Sequence, residues 1–219
     1  MNKKLWLGFG VAFLLLLTSW QAQAKSTTIP AFTNWQNTLQ VPLIHSQSQS
    51  ESLAANARVA WDAQFLYLTV FVQDNSVGPK HSVLRDFGDR DHVSIYLDAQ
   101  GNGKSQGRTK PSVTDYIFIV SPKNVFGDPM LTSFAYGGHE HLRLNLRSIN
   151  YSVAVNDHGY VVEIYLPWSL LGVTPKEGDM IGLALVVRDV DQRGLLGEVS
   201  SVRANPHFRP SGWQQFRLQ

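Results

Sequence analysis

Alternation of apolar and polar residues with a period of two is the feature that most constrains the fold of this 219-residue chain. Leu66, Leu68, Val70 and Val72 share one side of residues 65–72, and Val93, Ile95 and Leu97 alternate with Ser94, Tyr96 and Asp98. The rhythm returns in Leu142, Leu144 and Leu146 against Arg143, Asn145 and Arg147, and in Tyr151, Val153 and Val155. It returns again in Tyr160, Val162, Ile164 and Leu166, and in Ile181, Leu183, Leu185 and Val187, while residues 116–120 form a short continuous apolar run. An extended chain sends successive side chains to opposite faces, so each segment predicts a strand with one buried face. Asn156-Asp157-His158-Gly159 lies between two of them and predicts a hairpin. Only residues 167–171 suggest helix, a turn or two closed by Gly172. Many short strands with so little helix predict an all-β fold, an antiparallel, jelly-roll-like sandwich. Residues 46–52 read as an exposed loop, and residues 99–112, rich in Gly, Lys, Ser and Gln, as a mobile loop or flap.

The first 24 residues stand outside this pattern. Lys3 and Lys4 precede an apolar run over residues 5–17, and Ala22-Gln23-Ala24 supplies small residues at the spacing a signal peptidase requires. Thirteen apolar residues are too few to span a bilayer as a helix. The expected division is a signal peptide over 1–24 and a single domain over 25–219, periplasmic or secreted after cleavage near Ala24. Taking Lys3 and Lys4 from the 19 basic residues leaves 17 against 17 acidic ones, a neutral mature chain. Such a balance gives no footprint for nucleic acid, and no second apolar run argues for a membrane after cleavage. With no cysteine in the chain, thiolate zinc sites, iron–sulfur clusters and cysteine nucleophiles are excluded.

Chemistry-bearing residues fall into two groups. Asp74, Asp91, Asp98, Asp189 and Asp191 sit at strand ends, where oxygen ligands of this kind suit calcium. The competing reading is that they cap strand ends through local backbone hydrogen bonds. Aromatics form the second group: apolar walls with a few placed polar groups are the general recipe for a small-molecule pocket, and sugar rings stack on such walls. Trp61 and Trp168 lie in or beside strands and read as core. Phe87 and Phe208 each sit in a polar loop and read as candidates for exposure. His139 and His141 flank Glu140 after Gly137-Gly138, a pattern that fits a solvated turn better than a metal site. There is no G-x-S-x-G, H-E-x-x-H or P-loop signature, so the chain reads as a binder and not an enzyme.

These residues carry a resemblance. Ala60-Trp61-Asp62 with Phe65-Leu66-Tyr67-Leu68 and Asp74 resembles the opening strands of family 9 carbohydrate-binding modules, and residues 91–98 resemble that family's acidic strand. Residues 160–168 with Leu171-Gly172 are similar to its third signature, and Gly178 to Gly182 leading to Asp189-Val190-Asp191 to the next strand. The resemblance implies a β-sandwich that binds sugars, often attached to a glycoside hydrolase, with structural calcium in some members. Asp74, Asp91, Asp98 and Asp189 are the expected calcium ligands. In well-known members two tryptophans sandwich a terminal sugar. The corresponding clamp here is Phe87 with Phe208 or His207, and Asn205 and Arg209 are its polar partners. Two positions depart from the family: Ser94 stands where those members place a sugar-binding glutamate, and Ile119 where they place an arginine. The resemblance therefore implies an exported, non-catalytic protein that captures an oligo- or polysaccharide chain end, beside a glycoside hydrolase or another exported partner. Two alternatives stay open. One is a haem-binding redox domain of the related DOMON group, for which Met130 and Met180 are the only mature methionines. The other is an interaction module whose sugar site has decayed.

Overall fold

The structure, a computed structural model, describes residues 28–46, 53–78, 90–124, 126–135, 144–191, 194–203 and 209–219. Among these, thirteen strands form two sheets. The smaller runs in the order β2 (Leu39–Leu43), β4 (Ala54–Trp61), β5 (Phe65–Gln73), β10 (Gly159–Pro167) and β9 (Asn150–Asn156), with every neighbour antiparallel. The larger runs β1 (Thr28–Ile29), β13 (Gln214–Leu218), β11 (Met180–Asp191), β6 (His92–Asp98), β7 (Asp115–Ser121) and β8 (Met130–Ala135). Its strand β12 (Gly194–Ser200) folds back on β11, and β3 (His45–Ser46) pairs with β12. The parallel contacts among the described residues are β1 on β13 and an isolated bridge between Ala31 and Trp61. The expected antiparallel sandwich is thus what the chain forms.

The alternation seen in the sequence decides which side chains meet. Leu66, Leu68, Val70 and Val72 of β5 and Tyr160, Val162, Ile164 and Leu166 of β10 face inward from one sheet. Val93, Ile95 and Leu97 of β6 and Ile181, Leu183, Leu185 and Val187 of β11 face them from the other, all of them buried. Burying each such aliphatic side chain contributes about 1.5–3 kcal/mol before the entropy of ordering is subtracted. A second, smaller apolar layer covers the outer face of the larger sheet and holds Tyr96, Ile117, Ala184, Val186, Val202 and Trp213. Trp61 and Trp168 are buried as expected, with their indole N–H groups donating to the carbonyls of Gln219 at 3.1 Å and Asp62 at 2.8 Å.

Turn chemistry follows the residues that carry it. Asp157 and His158 form the two-residue loop between β9 and β10, and the Asn156 side chain accepts from the His158 N–H at 2.8 Å. Gly159 has a φ of +138°, and a Cβ there would run into the carbonyl oxygen of Val72, so only glycine fits. The turn after Pro167 ends at Gly172 (φ +66°), where the Val173 N–H reaches back to the Trp168 carbonyl at 3.2 Å, the 6→1 bond of a Schellman closure.

Three expectations need correcting. Leu146 and Arg147 are not part of a strand: Leu146–Ser148 is a single 3₁₀ turn capped by Asn145, whose side chain accepts from the Arg147 N–H. Local capping outcompetes the apolar alternation there. The glycine-rich 99–112 segment is tied down and is no free flap. It makes its own turn hydrogen bonds, and Arg108 anchors it to Asp115 with two hydrogen bonds, at 2.5 and 3.0 Å. The reading of residues 46–52 as an exposed loop fails at Ser46, which ends β3, and its other residues, like the turn expected at 139–141, fall outside the described residues.

Candidate functional site

The two positions that depart from the family pattern turn out to be neighbours. Ser94 of β6 pairs directly with Ile119 of β7, and this row continues to Val186 of β11 on one side and Thr132 of β8 on the other. All four project from the outer face of the larger sheet, away from the inter-sheet core. Ser94 and Val186 are buried and Ile119 is half-buried against the second apolar layer. The ring of Tyr96 lies 5.9 Å from that of Trp213 in the same layer. This row is uncharged where a glutamate–arginine pair would have given it charged donors and acceptors.

One wall of this region is built by the chain's last turn. Arg209 is exposed and leads into the 3₁₀ turn Pro210–Gly212, whose Ser211 N–H donates to the Arg108 carbonyl at 3.0 Å. Gly103 packs so closely against Pro210 and Asp98 that a Cβ would stand 2.9 Å from each. Residues 99–114 therefore brace the turn that begins at Arg209. The expected clamp residues Phe87, Asn205, His207 and Phe208 lie outside the described residues.

The acidic residues divide into two sets. Asp74, Asp91 and Asp189 converge so that one carboxylate oxygen from each lies within 4.8 Å of the others, and all three are buried. Asp91 accepts from the Gly78 N–H at 2.8 Å and the Val190 N–H at 2.7 Å. Asp74 accepts from the Ser76 N–H at 2.8 Å through one oxygen, while its other oxygen is buried without a partner among the described residues. Burial, together with the neighbouring Asp74 and Asp189, pushes the Asp91 carboxyl up to about 8, and burial also raises that of Asp74. Charges packed so tightly away from water need protons or a cation to coexist. An all-oxygen, carboxylate-rich donor set with an unpartnered buried oxygen fits a hard divalent ion, calcium in particular.

Asp98, expected as a fourth ligand, belongs elsewhere. It lies roughly 20 Å along the same strand from Asp91 and points to the opposite face of the sheet. There its carboxylate accepts from the Gly103 N–H at 2.6 Å and sits 3.3 Å from the Arg108 guanidinium, which also binds Asp115. Asp191 ends β11, beyond a shift of pairing register after Asp189. Sequence reasoning missed the Arg108–Asp115 pair and Tyr160, whose fully buried hydroxyl lies beside the three converging aspartates. Met130 receives Arg90 at 3.9 Å and Met180 starts β11, on separate strands.

The sequence profile of the carbohydrate family 9 binding domain-like family matches residues 30–214, nearly all of the sandwich. The chain belongs to that family. Among curated proteins, this family 9 domain is 26% identical over 145 residues to Exoglucanase XynX of Acetivibrio thermocellus, a match that takes in 66% of this chain but only 11% of that relative. Among solved structures it resembles a family 9 carbohydrate-binding module from Caldicellulosiruptor kristjanssonii in complex with cellotriose. The TM-score is 0.68 at 16% identity, over 91% of this chain and 90% of that one. The glucose complex of a family 9 module from the same organism aligns with the same TM-score at 17% identity, over 91% of this chain and 92% of that one. At such identities the likeness is one of fold.

Proposed function

We propose that this family 9 domain is an exported, non-catalytic carbohydrate-binding protein that captures the end of an oligo- or polysaccharide by aromatic stacking. The observation that carries the reading is the match of the family profile across 30–214 on a sandwich of the same fold as modules with glucose and cellotriose bound. Phe87 and Phe208 or His207 supply the stacking faces, with Asn205 and Arg209 as polar partners. Residues 1–24 act as the signal peptide and 25–219 as the working domain, beside a separate glycoside hydrolase or another exported partner. A calcium ion on Asp74, Asp91 and Asp189 is a structural part of this reading. It neutralises the three carboxylates and takes no part in contacting sugar.

The Ser94–Ile119 pair favours one second reading, an interaction module whose sugar site has decayed. Calorimetric titration with glucose and cello-oligosaccharides separates the two. Under the first reading the protein binds, and Phe87→Ala and Phe208→Ala each weaken binding by about tenfold, which is 1.4 kcal/mol. No heat with any glycan of a broad array decides for the second. Binding that both substitutions leave unchanged removes the proposed clamp.

A further inference from the structure

We propose that the Tyr160 hydroxyl belongs to the cation site of Asp74, Asp91 and Asp189, and that an ion held there fastens the two sheets together at one end of the core. The inference rests on the calcium reading above and goes beyond it. Each member continues an inward-facing row. Asp74 follows Leu66, Leu68, Val70 and Val72 of β5, and Tyr160 heads Val162, Ile164 and Leu166 of β10, both in the smaller sheet. Asp91 precedes Val93, Ile95 and Leu97 of β6, and Asp189 follows Leu185 and Val187 of β11, both in the larger sheet. The site is therefore assembled from two strands of each layer, at the point where four apolar rows run out.

Local geometry brings Tyr160 to Asp74 in particular. Tyr160 pairs with Val72, and the Asp74 N–H donates to the carbonyl of His158 at 3.0 Å, so the two residues are diagonal neighbours within reach of a long side chain. The phenol is fully buried and its oxygen has no hydrogen-bond partner among the described residues. A buried hydroxyl left unpartnered is destabilising, and the charged groups beside this one are the three carboxylates. A neutral O–H is what a carboxylate already committed to a cation can accept, and groups that orient metal ligands in this way tune affinity strongly. Asp91 is held in place by N–H donors from opposite sheet margins, Gly78 after β5 and Val190 in β11. Loading the site thus draws on both layers at once.

The test uses the purified, chelator-stripped protein, titrated with calcium chloride and, as a luminescent substitute, terbium chloride. Wild type is expected to melt higher with calcium and to show terbium emission on tyrosine excitation that calcium displaces. Tyr160→Phe is expected to lose most of that emission and to bind calcium about ten- to a hundredfold more weakly. Amide exchange at residues 72–74 and at 187–190 is expected to slow together on calcium addition. A Tyr160→Phe protein that keeps both emission and affinity overturns the role of Tyr160 and leaves the calcium reading standing. Exchange that slows in one sheet alone overturns the fastening. A wild type indifferent to both ions overturns the calcium reading, and the inference falls with it. If Tyr160→Phe does not fold, the tyrosine absorption difference spectrum of wild type on calcium addition decides: a perturbed buried phenol supports the proposal, and an unchanged spectrum ends it.

Discussion

Strand β6 has an aspartate just before its first residue and another as its last, and the two are neutralised in opposite ways. At the far end, Asp98 and Asp115 are both buried, and the Arg108 guanidinium reaches over to serve them from its own loop. At the near end, Asp91 meets Asp74 and Asp189, and among the described residues neither Asp74 nor Asp91 has an ion-pair partner. One cluster carries its counter-charge in the sequence, and under the calcium reading the other takes it from solution. Similar acidic residues at the two ends of one strand therefore differ in setting: Asp98 helps to pin the loop that carries Arg108, and Asp91 converges with a carboxylate from each sheet.

The largest expected effect comes from breaking the covalently supplied cation. Arg108→Met strands two buried carboxylates and should cost about 3 kcal/mol in denaturant unfolding. Added calcium should restore none of it, and restoration would mean the two clusters are not distinct in kind. Next in size is removal of calcium from the near cluster. An ion present at about 100 times its dissociation constant stabilises by about 2.7 kcal/mol, so chelation should lower the melting temperature by roughly 5–10 °C. Asp74→Asn should abolish that response. A smaller effect is expected from pH in the chelated protein. Because the folded Asp91 carboxyl sits near 8, against an unperturbed value of 3.8, the folded state keeps a proton that the unfolded state has already lost. Stability should then fall as pH rises from about 4 to about 8, by roughly 3 °C per unit, and Asp91→Asn should flatten the slope. The smallest effect on the comparison is that of Asp98→Asn. It should leave the calcium-dependent shift in melting temperature unchanged, and a reduced shift would place Asp98 back among the ligands.

Parity along the strands explains much of what the sequence revealed and what it hid. The rows at 66, 68, 70 and 72, at 93, 95 and 97, and at 181 to 187 were legible because buried aliphatics repeat every second residue. The same count sends Asp74, Asp91 and Asp189 inward and Asp98 outward, so the fourth ligand could have been rejected from the sequence by extending each row by one step. Tyr160 was legible by the same rule, as the first member of the 160–166 row, but it read as core because its hydroxyl matters only once Asp74 is known to be diagonal to it. Arg108 was hidden because its partners depend on how residues 99–114 fold back, which no local pattern encodes. Leu146 reads as strand from the alternation of three leucines, but the Asn145 side chain closes a turn there. Ser94 and Ile119 are far apart in the chain, and only the β6–β7 register makes them a single uncharged pair.

The parallel pairing of β1 with β13 places Thr28 opposite Arg217, and the Gln219 N–H closes the pair on the Ile29 carbonyl at 2.9 Å. Thr28, at the start of β1, and Gln219, just after β13, thus lie at opposite ends of one sheet edge. A pull on both ends loads these hydrogen bonds side by side in shear, and they must fail together before tension reaches β11 and the core. The edge pair is short, yet its arrangement makes it a mechanical latch for a domain under tension between its two ends.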